Sequence, residues 1–204
     1  MRIFEMRTLP HGIERFQQFR DEKFVCIGWP GIGDLSDVSK DELRKRIASA
    51  YKSSGHKLGY ALGQVNSFVN VMQRGDVVIV ENKGWAYIAT VGDYTYEERY
   101  DNDNDGMCHR RNVEWIAKLP QSELNPSIQS LLRNRNTIAE YPHSIEESGL
   151  GHILSGVPLA LNTDKPRLDD LFEIALHILE EELKSDNPDR RLRAATELIR
   201  LKTR

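Results

Sequence analysis

Apolar and polar positions follow their clearest pattern between residues 63 and 96, near the middle of the chain. Apolar residues first recur at helical spacing, which predicts a short amphipathic helix carrying Val65, Phe68, Val69 and Met72. The apolar, β-branched run at 77–80 predicts a buried strand, and residues 85–91 predict a second one. Between them, residues 82–84 predict a three-residue hairpin loop. The stretch is therefore predicted to be a helix followed by a β-hairpin.

Shorter segments on either side extend this alternation of helices and strands. Further strands are predicted at residues 2–7, 24–27, 113–116 and 137–141, the last of them closing the sheet. Ser39 and Glu42 predict a capping box for a helix whose buried stripe is Leu43, Ile47, Ala50 and Tyr51, and residues 53–57 then predict a loop. Helices are also predicted to begin at Asn125 and Ser144. The predicted fold class is α+β: a small mixed β-barrel flanked by short helices, over residues 1–157.

The C-terminal part follows a different pattern. Residues 158–166 predict a linker, and residues 167–204 predict two amphipathic helices separated at Asn187 and Pro188. The first helix has a mainly acidic polar face and the second a mainly basic one, which predicts an antiparallel helical hairpin of opposite charges. Two such helices alone bury too little apolar surface to be stable. The hairpin from Leu168 to Arg204 is therefore expected either to form a homodimer or to pack on the barrel.

Composition limits the classes of function. The chain has 204 residues and a net charge of −3, so any nucleic-acid binding must come from a local basic surface. No run approaches the roughly 18 apolar residues of a membrane span, and the first residues lack the apolar region of a signal peptide. Cys26 and Cys108 are isolated, which indicates buried thiols and a reducing cytoplasm. The spacing of cysteines and histidines indicates no metal site.

A glycine-rich run after a predicted strand is the first candidate for ligand contact. Its sequence, Gly-Trp-Pro-Gly-Ile-Gly-Asp at 28–34, predicts a loop whose backbone can approach a ligand closely. The run is not a P-loop, because no Gly-Lys-Ser/Thr follows it. Trp29 has two interpretations: a core tryptophan at a strand end, or one wall of a pocket on which a base stacks.

Basic residues form two further groups of candidates. The helix at 40–52 has an exposed basic face with Arg44 and Lys45, which is either merely solvated or faces phosphates. His109, Arg110 and Arg111 lead into the strand predicted at 113–116. One of these arginines is expected to pair with an acidic neighbour, while the other reaches a phosphate or a base edge.

Polar side chains of the central stretch give no sign of catalysis. Asn66 and Ser67 lie beside the apolar stripe of the helix, where an amide can bond either an unpaired base or the local backbone. Asp76, Glu81 and Lys83 have the letters of a nuclease D…ExK site. They would bracket a single strand, however, so the spacing is too short for such a site. No enzyme activity, cofactor or metal is therefore expected.

Three motifs together resemble a known family. FVCIGWPGIGDLSD at 24–37, M-x-x-G-D at 72–76 and CHRRNVEWI at 108–116 resemble the EVE domain found in front of Mrr-type restriction endonucleases. EVE domains are relatives of the PUA and YTH nucleic-acid-binding barrels. The resemblance covers roughly residues 1–145, and no Mrr-type nuclease domain follows. It implies an EVE/PUA-like barrel that takes a modified or flipped base into an aromatic-lined pocket.

The resemblance also implies which residues bind. The implied base pocket consists of Trp29, Asn66, Ser67, Trp85, Tyr94 and Tyr96. The two basic groups described above supply the expected phosphate-binding set, Arg44, Lys45, His109, Arg110 and Arg111.

The expected function is that of a cytoplasmic reader of nucleic acid in a restriction or phage-defence context. DNA is expected rather than RNA, and a separate effector nuclease is an expected partner. One alternative is a binder of a free nucleotide or other small ligand in the same pocket. Another is a protein–protein adaptor that acts through the C-terminal hairpin.

Overall fold

The structure, a computed structural model, describes residues 1–154, 182–183, 191–192 and 195–196. The chain divides into two units, Met1–Val157 and Pro158–Arg204, and every element named below belongs to the first. The predicted linker and most of the predicted helical hairpin lie outside the described residues. Within the described part, no helix has the length and apolar character needed to cross a membrane.

Six strands form one mixed sheet. They are β1 (Ile3–Met6), β2 (Phe24–Ile27), β3 (Val77–Asn82), β4 (Trp85–Tyr96), β5 (His109–Pro120) and β6 (Ile138–Glu140). Their order is β2-β5-β4-β3-β1-β6, with β1 parallel to β3 and every other pair antiparallel. The sheet curls into half a barrel. The predicted α+β class is confirmed, but β6 pairs with β1 at one edge and does not close the sheet onto β2.

Helices cover the sheet in short pieces. They are α1 (Phe16–Asp21), α2 (Lys40–Tyr51), α3 (Gly55–Asn66), α4 (Pro126–Leu131), α5 (Ile145–Ser148) and α6 (Gly151–Leu154). Ser39 caps α2 by accepting from Glu42 N, which is half of the predicted capping box, and Ser144 forms a full capping box with Glu147. The predicted loop at 53–57 is wrong, since α3 begins at Gly55. α3 continues into a π-helical turn, Ser67–Val71, so the predicted central helix is the end of a longer one.

Both faces of the sheet are buried. In β3, Val78 and Val80 belong to one apolar core with residues of α1, α2 and α3, while Val77 and Ile79 belong to a second core with residues of α4. Burial on both faces explains why this strand is a continuous apolar run instead of an alternating one. Cys26 and Cys108 are buried free thiols, as predicted.

The β3–β4 hairpin is tighter than predicted. Asn82 pairs with Trp85 across the two strands, so only Lys83 and Gly84 form the turn. Both have positive φ, 52° and 81°, as a type I′ turn requires. The sequence did not predict this turn, because its first position is Lys83, where asparagine or glycine is usual.

Candidate functional site

The loop after β2 has an unusual backbone. Trp29 has φ 68°, in the left-handed region that a bulky side chain rarely adopts. A Cβ added at Gly28 would lie 2.8 Å from the backbone N of His11, so only glycine allows this close approach. A strained backbone conformation persists only where surrounding contacts hold it in place, and such conformations cluster at ligand-binding sites. The loop is therefore a candidate ligand-binding site.

A buried histidine fixes the carbonyl group of Trp29. His109, at the start of β5, is fully buried. Its Nε2 lies 3.3 Å from Trp29 O, and its Nδ1 lies 2.8 Å from the hydroxyl of Tyr94. A carbonyl oxygen can only accept, so Nε2 carries the proton and Nδ1 accepts from Tyr94. The Tyr94 oxygen in turn accepts from Leu35 N, which ties a second point of the loop to the same histidine.

The same burial keeps His109 neutral. Burial lowers the pKa of His109 to about 4, against the opposing effects of its bond to Trp29 O and of the charges of Asp101 and Asp34. Both ring nitrogens are engaged at neutral pH. His109 is therefore available neither to a phosphate nor to a metal ion in this arrangement.

Asp101 anchors the loop from the other side. Its carboxylate accepts from Gly31 N and from the hydroxyl of Tyr96, both at 2.5 Å. Burial acts to raise the pKa of Asp101, but the hydrogen bonds from Tyr96 and Gly31 outweigh it, and the pKa is lowered. The ionised carboxylate therefore makes charge-assisted bonds to both partners.

Two side chains of α2 complete the attachment of the loop. The hydroxyl of Tyr51 donates to Pro30 O at 2.6 Å. Arg46 Nη1 donates to Asp34 O at 2.6 Å and to Ile32 O at 3.4 Å. The loop is thus bonded to α2, to β4, to β5 and to the segment between those strands. Such a loop can present Trp29 in one fixed orientation.

A cavity of about 250 Å³ opens beside Trp29. Its lining includes Leu9, His11, Gly28, Trp29, Tyr51 and Thr137. Trp29 is half-buried and Tyr51 is 39% exposed, so two aromatic side chains border one small opening. Typical small-molecule pockets span roughly 300–1,000 Å³, so this cavity suits one planar group rather than a large ligand. The space next to Trp29 that a stacking site requires is present.

A larger groove lies elsewhere and has a different character. About 630 Å³ in volume, it follows the irregularity of β4 near Gly92 and includes the exposed ion pair between Arg74 and Asp93. No aromatic residue of the described part of the chain lines it. The groove therefore offers no surface on which a base could stack.

The other residues of the implied base pocket do not line the Trp29 cavity. Tyr94 and Tyr96 lie beside His109, with ring centroids 6.1 and 5.9 Å from that of its imidazole. Their hydroxyls bond His109 and Asp101, so both support the loop and neither forms a wall. Asn66 lies at the end of α3, where its Oδ1 accepts from Asn70, and Ser67 begins the π-helical turn.

Trp85 is far from the loop. It begins β4, whereas Tyr96 ends this strand of 12 residues, and strands rise about 3.3 Å per residue. Trp85 is 40% exposed, and Lys118 Nζ lies 4.4 Å from its ring centroid. The expectation that Trp29 and Trp85 line one concavity is therefore wrong.

The two arginines of β5 are interior residues. Arg111, 3% exposed, donates to four backbone carbonyls, those of Phe68, Val69, Met72 and Gly92. Arg110, 7% exposed, donates to a backbone carbonyl as well and is stacked 4.1 Å from the ring centroids of both Phe24 and Tyr100. Together with His109 they form an internal scaffold. The structure thus corrects their expected placement on a phosphate-facing surface.

Arg44 and Lys45 do lie on the surface. Both are exposed on α2, and Lys45 lies 3.9 Å from Glu42 in a side-chain ion pair. α2 ends at Tyr51, which lines the Trp29 cavity. This is the part of the expected phosphate-binding set that remains accessible to a ligand.

Sequence reasoning missed several residues of the site. Tyr51 was expected in the buried stripe of α2, yet it lies at the last helical position and faces the cavity. His11 joins the site only through the close approach of its backbone to Gly28, for which the sequence holds no local signal. The supporting role of His109 required its distant partner Trp29 to be known.

No group of three or more His, Cys, Asp or Glu side chains in the described residues could hold a metal ion. Among the curated proteins, none matches the chain. A family described as "Domain of unknown function (DUF8426)" matches residues 10–140, which include the Trp29 loop, α2 and β5. The chain therefore belongs to the DUF8426 family.

Proposed function

We propose that this protein is a nucleic-acid reader in which an unpaired, modified or flipped base stacks on Trp29. The observation that carries the proposal is the left-handed conformation of Trp29 beside an open cavity. Holding a bulky residue in this conformation costs on the order of 1–2 kcal/mol. His109, Asp101 and Arg46 maintain the loop around it. This arrangement supports a role for the indole ring beyond packing.

The finer assignment of the fold belongs to the same proposal. We take the curled, mixed sheet to be an EVE/PUA-like barrel, because the motifs at 24–37, 72–76 and 108–116 contribute to the loop and to its internal scaffold. A restriction or phage-defence context and a separate effector nuclease follow from that resemblance. DNA remains the expected nucleic acid, with Arg44 and Lys45 of α2 as its phosphate contacts.

A second candidate function is the binding of a free nucleotide or another planar small ligand. The small volume of the cavity, about 250 Å³, favours a single ring system whether or not it belongs to a strand. The two candidates differ in their salt dependence. Binding to a strand weakens steeply with salt, because each neutralised phosphate releases counterions.

The test is a fluorescence-polarisation panel of plain, methylated and hydroxymethylated oligonucleotides, single- and double-stranded. The decisive variant is Trp29→Gly, because glycine adopts φ 68° readily and preserves the loop while the ring is lost. Loss of a stacking platform is expected to weaken binding by about 1–3 kcal/mol. The matched control is Trp85→Ala, which removes an exposed tryptophan at the distant end of β4.

Salt titrations with Arg44→Ala and Lys45→Ala complete the experiment. Each variant is expected to reduce the slope of log K against log salt by about one. Equal loss of binding in Trp29→Gly and Trp85→Ala would contradict the proposal, as would oligonucleotide binding that is unaffected by Trp29→Gly.

A further inference from the structure

A second cavity, of about 440 Å³, lies where β1 and β3 end. These strands are parallel neighbours, so their carboxyl ends meet at one edge of the sheet. Ligands of mixed α/β sheets commonly bind outside the carboxyl ends of parallel strands. The volume is within the range of small-molecule sites. No part of the proposed base site accounts for this cavity.

A buried carboxyl group without a partner lines the cavity. Glu5, in β1, is 3% exposed and pairs across the sheet with Ile79 on one side and Ala139 on the other. Its Oε2 is buried and has no hydrogen-bond partner in the described residues. A buried acceptor left unpaired costs about 1–3 kcal/mol. A ligand that donates to Glu5 would remove this cost.

The rim of the cavity carries three basic side chains and two acidic ones besides that of Glu5. The charged residues that line it besides Glu5 are Arg7, Glu14, Glu81, Lys83 and Arg135. The two acidic ones are engaged, because Glu14 accepts from Thr8 Oγ1 and Phe16 N, and Glu81 accepts from Gly84 N. The three basic side chains are exposed. The rim therefore suits an anionic group, and the interior suits an N–H donor.

We infer that this cavity binds a nucleotide whose base bears an amino group, with the base donating to Glu5 and the phosphate lying against Arg7, Lys83 and Arg135. Carboxylates accept hydrogen bonds from the amino groups of bases, as acidic side chains do from cytosine N4. The nucleotide is either free or part of a strand. Leu9 lines both this cavity and the Trp29 cavity, so neighbouring nucleotides of one strand could reach both.

The protonation of Glu5 gives the site a distinctive pH dependence. Burial raises the pKa of Glu5 to about 8, with Arg7 opposing the rise and Glu81 adding to it. An N–H donor binds the ionised carboxylate, so affinity is expected to rise as pH increases through about 8 and to level off above it. Between pH 7 and pH 8.5 the increase should be about eightfold for a pKa of about 8.

The test measures binding of AMP, GMP, CMP and UMP to the full chain by calorimetry at pH 8. At least one of the three nucleotides with an amino group is expected to bind more tightly than UMP, whose base offers only a ring N–H donor, and an equal affinity for UMP would overturn the requirement for an amino group. Glu5→Gln keeps the shape but places an amide in the cavity, and it should weaken binding at least tenfold and abolish the increase with pH. Glu140→Gln is the control, since Glu140 lies in the neighbouring strand β6 opposite Phe4, is exposed and does not line the cavity.

Two further measurements distinguish a free nucleotide from a strand and separate this inference from the proposed function. Homo-oligonucleotides of the same base show whether the site prefers a strand to a free nucleotide. The Glu5-dependent part of mononucleotide binding, which is the difference made by Glu5→Gln, should persist in a Trp29→Gly background, so the two cavities fail or succeed independently. Binding that is equal in the wild type and Glu5→Gln overturns the inference, and so does the absence of binding by all four nucleotides. An equal Glu5-dependent affinity for free α-amino acids overturns the nucleotide assignment.

Discussion

At the scale of single residues, the molecule uses buried and half-buried polar side chains to hold backbone in place. His109, Asp101 and Arg46 all bond backbone groups of the loop that carries Trp29. Each side chain is therefore part of the support, and Trp29 is the residue that this support presents. The distinction matters for experiments, because mutation of the support damages the fold while mutation of Trp29 need not.

Trp29 permits a comparison of two substitutions that isolates backbone strain. Trp29→Gly and Trp29→Ala both remove the ring, yet only alanine keeps a Cβ at φ 68°. We expect Trp29→Gly to be more stable than Trp29→Ala by about 1 kcal/mol, the reverse of their order in a helix. Urea denaturation of both proteins measures this difference. A more stable alanine variant would mean that the loop relaxes out of the left-handed conformation.

His109 predicts a pH dependence of stability. Its pKa is about 4 in the folded protein, below the ordinary value of 6.5, so the unfolded chain binds a proton first as pH falls. Its stabilising contribution is therefore present above pH 6.5 and is lost between pH 6.5 and about 4. The loss is expected to be about 3 kcal/mol at most.

The measurement is the free energy of unfolding as a function of pH for the wild type and for His109→Gln. The difference between the two should shrink as pH falls through this window, whereas the exposed-residue control His56→Gln should follow the wild type. The comparison of variants is necessary because Glu5 also makes stability depend on pH. Its pKa is raised to about 8, so its stabilising contribution is lost as pH rises from 4.5 to 8, opposite in sense to that of His109. A constant difference between wild type and His109→Gln would contradict a buried neutral imidazole.

At the scale of elements, the sequence was most informative where one physical rule decides the outcome. β-Branched apolar runs correctly predicted β2 and β3, and serine caps correctly predicted the starts of α2 and α5. Prediction failed where distant residues decide. The end of α3 becomes a π-helical turn whose carbonyls bond the distant Arg111, so no local pattern in the sequence predicts the turn. Because these partners could not be known from the sequence, the motif that contains Arg111 was assigned to phosphate binding.

Arg111 links β5 to that turn, and its removal is expected to be costly. Arg111→Met would leave the carbonyls of Phe68, Val69, Met72 and Gly92 without this donor. Each buried unpaired group costs about 1–3 kcal/mol, so we expect destabilisation by at least about 3 kcal/mol in urea denaturation. The control, Arg44→Met on the exposed face of α2, should change stability by no more than about 0.5 kcal/mol. A loss below about 1 kcal/mol for Arg111→Met would show that water replaces the guanidinium.

At the scale of the whole molecule, the sequence predicted an α+β class but not which parts would meet. The Trp29 cavity combines the Pro10–Gly12 turn, the loop after β2, the end of α2 and Thr137. These segments are far apart in the chain, and no periodic pattern connects them. Glu5 likewise lies in a four-residue strand whose every residue is buried, so its sequence context gave no indication of a cavity.

The last prediction concerns the segment from Leu168 to Arg204. Its acidic first half and basic second half are complementary in sign, and a self-complementary surface favours a symmetric dimer. We expect the full chain to be a dimer and a chain ending at Pro166 to be a folded monomer, because both cores of the sheet lie within residues 1–154. The shortened chain should also bind oligonucleotides more weakly, since two linked sites raise the effective concentration for a second contact. Light scattering and circular dichroism on both proteins provide the measurement. A monomeric full chain, or a shortened chain that fails to fold, would instead indicate that the segment packs on its own domain.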